Sequence, residues 1–301
     1  MILRFLVIGL LASCVLKILV HPGWLETLVS PLSSSDLSSA TEVDVELVPA
    51  EVAADKTSGQ GRPILAVATG HYPPFTSEQI PHHGFANHVV SEALVREGYQ
   101  ATFAYYPWVR ARHQVVIGQM PATSYWACDS VYREMYYCSE PIVEIRFRLF
   151  YRKDNPLPKW SELKHHPERK IGLTRGYIYT AEIQTARETW LNHSYEQSDQ
   201  QQIKKLIAGR IDGFILEELV FNSLMDSMAF SHMAEQITFD ESTVFVAQGT
   251  LLFSRDQPKS LELLQIFNRG LGRLRDDGGY QQLETLLHQG YYSSISPSLE
   301  E

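Results

Sequence analysis

Two aromatic rings, Tyr72 and Phe75, flank Pro73-Pro74 just beyond a short apolar run, Ile64 to Ala68. That run has the length of a strand, Gly70 stops it, and the prolines forbid further pairing. Flat side chains held on a rigid turn at the carboxyl end of a strand can stack on a ligand, because open α/β sheets bind ligands there. The same residues also fit an ordinary loop whose rings fold back onto the core. Cys128 and Cys138 lie in the aromatic, strand-like stretches SYWAC and MYYCS. They are either a disulfide or two buried thiols, and an oxidising compartment favours the disulfide. His82-His83 and His165-His166 are adjacent pairs with no cysteine or acid at ligand spacing, so they read as solvated loop residues and imply no metal. No Gly-x-Ser-x-Gly nucleophile turn, phosphate loop or zinc signature occurs, so no cofactor is implied either.

The compartment follows from the N-terminus. Met1-Ile-Leu-Arg4 carries one positive charge and Phe5 to Ser13 is apolar throughout, the layout of a secretory signal. Leu11-Ala12-Ser13-Cys14 resembles a lipobox, in which Cys14 would be lipidated, while the apolar stretch continuing to Val20 also fits a retained anchor. Residues 1–20 are therefore expected to be a signal, lipoprotein signal or anchor, and 21–61 a flexible spacer. The spacer is first small and polar, then acidic, and too poor in apolar surface to order itself. The net charge of -9 excludes nucleic acid or an anionic lipid surface as the main partner. Any membrane contact is expected only through the N-terminus.

From Arg62 onward, short strands alternate with helices. Helices are expected over Gly84–Glu97 and Trp108–Ile117, each closed by a glycine, with strands over 101–106, 122–127 and 145–151. The turn-rich Lys153–Pro158 marks a passage to a second run, with strands at 170–174 and 211–216, a strand within 244–254 and a long helix from Pro258 to about Asp276. Alternating β and α elements imply an α/β fold with mostly parallel sheets, and two such runs imply two lobes with a cleft between them.

Three ordered segments resemble the extracellular (periplasmic) solute-binding proteins of family 3, substrate-binding components of amino-acid-type ABC transporters. The first is Tyr72-Pro-Pro-Phe75 with Pro107-Trp108. The second is Lys170-Ile-Gly-Leu-Thr-Arg-Gly-Tyr177 followed by Leu206 to Glu217, and the third runs from Phe267 to Tyr280. The resemblance implies a hinged, two-lobed periplasmic-binding-protein type II fold over 62–290. Lobe 1 would be about 62–150 plus 250–290, lobe 2 about 151–249, and 291–301 a tail. It implies a ligand stacked on Tyr72, Phe75 and Trp108, with Arg133 for a carboxylate. Gly176 and Tyr177 would meet it from the second lobe, and Glu217 would pair with an amino group. The chain departs from the pattern at several points. Arg133 stands one residue closer to Ser139-Glu-Pro than usual, Tyr177 replaces a small hydroxyl residue, Glu217 is longer than aspartate, and the acid usual after the second helix is missing at Gly118–Ala122. These departures fit a ligand larger or flatter than a simple amino acid.

The function so implied is an exported, monomeric receptor that captures a small polar solute, an amino acid or a related carboxylate or amine, for an ABC permease or a membrane sensor. Two alternatives stand beside it. One is an enzyme on the same scaffold, similar to cyclohexadienyl dehydratase, with Glu217 as acid or base. The other is an interaction module that binds no solute.

Overall fold

The computed structural model describes residues 61–293, and the expected signal, the Cys14 lipobox and the spacer lie outside them. The first lobe opens with β1 (Ile64–Thr69), α1 (Phe85–Arg96), β2 (Gln100–Tyr105), α2 (Trp108–Val116) and β3 (Ala122–Ala127). α3 (Ser130–Met135) and β4 (Tyr136–Cys138) follow, then the ten-residue β5 (Val143–Arg152). The second lobe contains β6 (Ile171–Thr174), α4 (Ala181–Thr189), β7 (His193–Glu196), α5 (Asp199–Ile207), β8 (Gly213–Glu217), α6 (Glu218–Met225) and β9 (Ile237–Phe239). The chain returns through β10 (Phe245–Ser254) and ends on the first lobe with α7 (Ser260–Asp276) and α8 (Gly279–His288).

One sheet runs through both lobes in the order β2-β1-β3-β10-β5-β8-β6-β7. Its two ends are parallel: β1 pairs with β2 and β3, and β6 pairs with β7 and β8. Its middle is antiparallel, β10 lying between β3 and β5 while β5 continues onto β8. Parallel strands covered by helices on both faces read as short apolar runs, which is why β1 and β8 stand out in the sequence.

β5 and β10 are the connectors: β10 pairs with β3 and β4 of the first lobe and with β5, which continues onto β8 and β9 of the second. Phe147 faces Phe245 on one side and Glu217 on the other, and the two phenylalanine rings stack at 4.2 Å. The chain thus changes lobes inside β5, before the turn at Lys153–Pro158. A strand shared by two sheets keeps its extended pattern through the crossing, so nothing local marks the point. The C-terminal helices pack back on α1, and the packed body extends into the stretch expected as a tail. Tyr292 is fully buried, and its hydroxyl lies 2.8 Å from His88 Nδ1.

Candidate functional site

The turn after β1 is held by backbone bonds between Tyr72 and Thr76, and the Thr76 hydroxyl donates to the Gly70 carbonyl at 2.8 Å. This geometry sends the two flanking rings to different places. Tyr72 reaches the seam between the lobes. Phe75 turns inward, is fully buried, and stacks on Tyr125 at 4.9 Å. Phe75 therefore supports the site from beneath, stacked on Tyr72 at 6.3 Å as well, where the sequence had placed it on the lip.

Tyr125 sits in a β-bulge. Thr250 pairs with Trp126 and Leu251 with Ser124, so Tyr125 has no partner opposite it. Its φ of 67° is in the left-handed region, a strain of about 1–2 kcal/mol for a residue with a Cβ. In a regular strand neighbouring side chains point to opposite faces, whereas a bulge re-aims one of them. Here the bulge turns both Tyr125 and Trp126 toward the seam. Gly249 makes room for the Tyr125 ring, since a Cβ there would lie 3.0 Å from it. Gly70 does the same for Trp108 at the start of α2, where an added Cβ would stand 2.5 Å from the indole.

These residues enclose a cavity of about 80 Å³, lined by Tyr72, Trp108, Tyr125 and Trp126 of the first lobe, Phe147 of the connector, and Gly176 to Ile178 of the second lobe. Trp108 and Trp126 meet edge to face at 5.5 Å, and Tyr72 meets Tyr177 edge to face at 5.8 Å across the seam. On one side the cavity adjoins a more polar hollow of about 340 Å³ lined by Tyr72, Trp108, Tyr177, Thr174, Asp199 and Ser223, among others. On the other side is a hollow of about 760 Å³, bordered by the Cys128–Cys138 segment and by Tyr179 to Ala181. Cys128 and Cys138 are bonded to each other, their Cα atoms 6.4 Å apart.

Burial dominates the electrostatics. Tyr72, Tyr125 and Tyr177 all have their hydroxyl pKa pushed well above the ordinary value, first by burial, then by nearby carboxylates. The Tyr72 and Tyr125 hydroxyls are buried without a hydrogen-bond partner; that of Tyr72 lies beside the Tyr177 hydroxyl but outside bonding geometry. Tyr177 donates to Asp199 Oδ2, and Thr174 donates to Asp199 Oδ1 at 2.8 Å. Asp199 is only 9% exposed, and burial raises its pKa despite those two donors.

Tyr72, Trp108, Gly176 and Tyr177 thus come together at one cavity. Glu217 stands behind it: buried at the end of β8, it accepts the Val220 N–H at 2.7 Å and caps α6. Its pKa is raised to about 8 by burial, partly offset by the Val220 and Leu219 N–H groups. It lines none of the three hollows, although its charge reaches Tyr72 and Tyr125. Arg133 does not join the group. It is exposed on α3 at the border of the largest hollow, because Tyr132 is the residue of that short helix that turns inward to stack on Trp126. Asp199, Tyr125, Trp126 and Phe147 belong to the site and were not singled out from sequence. Asp199 carried a faint signal, an acid in the first turn of a helix next to the capping Ser198, but that pattern indicates only a helix start.

Among the described residues no group of histidine, cysteine or acid side chains could hold a metal ion, and no helix is long and apolar enough to cross a membrane.

The architecture, two mostly parallel half-sheets with flanking helices joined by paired connector strands, is that of two-lobed periplasmic binding proteins. No protein-family model and no curated protein matches the sequence. Solved structures do match. A histidine kinase sensor domain with similarity to periplasmic binding proteins shares 16% identity at a TM-score of 0.63, over 74% of this chain and 96% of the other. An arginine third transport system periplasmic binding protein from Legionella pneumophila shares 16% at 0.61, over 74% and 98%. The ancestral amino-acid-binding protein AncCDT-1, a precursor of cyclohexadienyl dehydratase, shares 19% at 0.54, over 74% and 94%. At these identities the likeness is one of fold.

Proposed function

We propose that the chain is an exported binding receptor that closes its two lobes on a small solute. The supporting observation is the seam cavity, whose walls come from both lobes, with Tyr72 of one against Tyr177 of the other. A ligand touching both walls binds the closed arrangement better than the open one, and that difference shifts the population between them. A leader-like N-terminus and the bonded Cys128–Cys138 pair support an oxidising compartment outside the cytoplasm. The solute would then be passed to a permease or reported to a membrane sensor, and the structural neighbours include proteins of both kinds. Thermal-shift measurement of the purified full chain against amino acids, amines and small carboxylates tests this. A solute at a hundred times its Kd adds about 2.7 kcal/mol, which in a body of this size is a rise in Tm of about 5 °C or more. A panel in which nothing moves the Tm overturns the reading.

A second reading rests on Glu217 alone. A buried carboxyl that holds its proton up to about pH 8 is suited to acid–base chemistry such as a dehydration. Turnover of a prephenate-like cyclohexadiene, lost in Glu217→Gln, would support it; an inert wild-type chain would remove it.

A further inference from the structure

The seam holds one buried carboxylate, Asp199, with no cation bonded to it among the described residues. Asp199 is bound only by the neutral hydroxyls of Thr174 and Tyr177, and neither Asp199 nor Glu217 forms an ion pair among the described residues. The guanidinium groups nearby are committed elsewhere. Arg148 pairs with Glu218 at 3.1 Å, and Arg175, which borders the Asp199 hollow together with His71, is exposed, forms no ion pair with Asp199 and stacks over the Tyr195 ring at 5.4 Å. Buried charges are ordinarily paired, because leaving one alone in a dry site costs several kcal/mol. The central cavity itself has no lysine or arginine in its lining. It does have six aromatic side chains, Tyr72, Trp108, Tyr125, Trp126, Phe147 and Tyr177. Tyr72 is more than nine-tenths buried, lines both this cavity and the Asp199 hollow, and has an unpartnered hydroxyl.

A ring of π faces beside an uncompensated carboxylate attracts one class of ligand. Aromatic faces are electron-rich and draw a desolvated cation with about 2 kcal/mol or more, and an adjacent carboxylate adds to that attraction. A neutral apolar solute would satisfy the rings but leave Asp199 unmatched. An anion would be repelled. We infer, building on the receptor reading above, that the solute is a small organic cation whose alkylated ammonium head sits in the aromatic cavity against Asp199 and needs no carboxylate of its own. Arg133, on the border of the far hollow, then has no anchoring role.

Isothermal titration of the full chain with choline and n-butylamine, each beside a neutral isostere (3,3-dimethylbutan-1-ol and n-butanol), tests the inference, with L-glutamate as the anionic comparison. The expected result is that at least one cation binds tenfold or more tighter than its isostere. Asp199→Asn, which keeps one oxygen to accept from one of the two hydroxyls and turns an amide N–H toward the other, should bring the pair within about threefold. Tyr72→Leu should weaken the cation and spare the isostere, and it provides a second handle if the Asn variant folds poorly. Isosteres that bind as well as the cations overturn the inference. L-Glutamate binding while both amines are inert overturns it too, yet leaves the receptor reading standing. Silence from these probes and from the wider thermal-shift panel brings down both.

Discussion

The two walls of the seam cavity are built in opposite ways. The first-lobe wall is four large rings fixed by backbone devices: a closed turn under Tyr72, a strained bulge at Tyr125, and glycines at 70 and 249 that leave room for Trp108 and Tyr125. Little in it can move without disturbing the core, since Phe75 and Tyr125 are stacked together beneath it. The second-lobe wall is a short loop, Arg175 to Ile178, with Gly176 exposed at φ 84° and Tyr177 half-buried. Its organisation comes from polar groups, with Asp199 gathering the hydroxyls of Thr174 and Tyr177. The first lobe thus supplies shape and the second supplies charge. Shape should be costly to alter in stability and charge costly to alter in binding.

The most severe test of that division is Phe75→Ala. Emptying a fully buried phenylalanine site costs about 3–5 kcal/mol, read as a lower midpoint in urea. The protein that remains folded should keep its solute affinity within a few-fold, because Phe75 touches rings and no ligand surface. An affinity loss as large as the stability loss would mean that Phe75 does belong to the lip.

Next in size is the pH response of Glu217, buried behind the cavity at the start of α6. Its native pKa, about 8, lies above the ordinary carboxyl value of 4.5, so the folded state holds a proton that the unfolded state gives up. Stability from this group is therefore present at pH 4.5 and below, and is lost as pH rises toward 8. A tenfold change in proton affinity is worth about 1.4 kcal/mol, so the loss across that window amounts to roughly 3 kcal/mol once relaxation of the site is allowed for. Glu217→Gln should cancel that slope and make the variant the more stable protein at pH 8.5, with Gln still able to accept the Val220 N–H. Equal slopes in urea titrations at pH 5, 7 and 8.5 would show that Glu217 is ionised in the native protein.

Much of the scaffold behind this comparison was legible in the residues, and most of the chemistry was not. β1, α1, α2 and α7 announced themselves because each is a periodic or continuous apolar segment that ends on glycine or at a turn, and those signals are local. The turn at Tyr72 was legible for the same reason. The bulge at Tyr125 was hidden, since its cause is the two-against-one pairing with Thr250 and Leu251, about 125 residues further along the chain. Asp199 was hidden because its role is set by burial against Thr174 and Tyr177, which no helix-start pattern encodes. Arg133 misled for the converse reason: its place in a motif was clear, but a six-residue helix pointed its neighbour Tyr132 inward instead. Positions fixed by neighbours in sequence could be read, and those fixed by neighbours in space could not.

A smaller effect separates the walls more directly. Gly70→Ala puts a Cβ 2.5 Å from the Trp108 indole, and the half-buried ring must swing out of the cavity. The expected outcome is a shifted tryptophan emission and about a tenfold loss of solute affinity, or about 1.4 kcal/mol. Stability should change by only about 1–2 kcal/mol. Unchanged emission with unchanged affinity would show that Trp108 is not part of the wall.

The smallest expected effect is also the most specific to the charged wall. Tyr177→Phe keeps the ring, and with it the shape, but removes the hydroxyl that donates to Asp199 Oδ2. That donor lowers the Asp199 pKa against the larger, opposing effect of burial, so its loss lets the pKa climb further. In the absence of solute the change is mild, within about 1 kcal/mol, because the carboxyl can take up a proton when it loses a partner. Binding of a cation is different, since it requires Asp199 to be ionised. Choline affinity in the variant should therefore fall away at a higher pH than in the wild type as the solution is acidified, while the two proteins converge at alkaline pH. Titrations from pH 8 down to 5 read this directly. Parallel curves for the two proteins would detach Asp199 from the ligand and leave the second wall with shape alone.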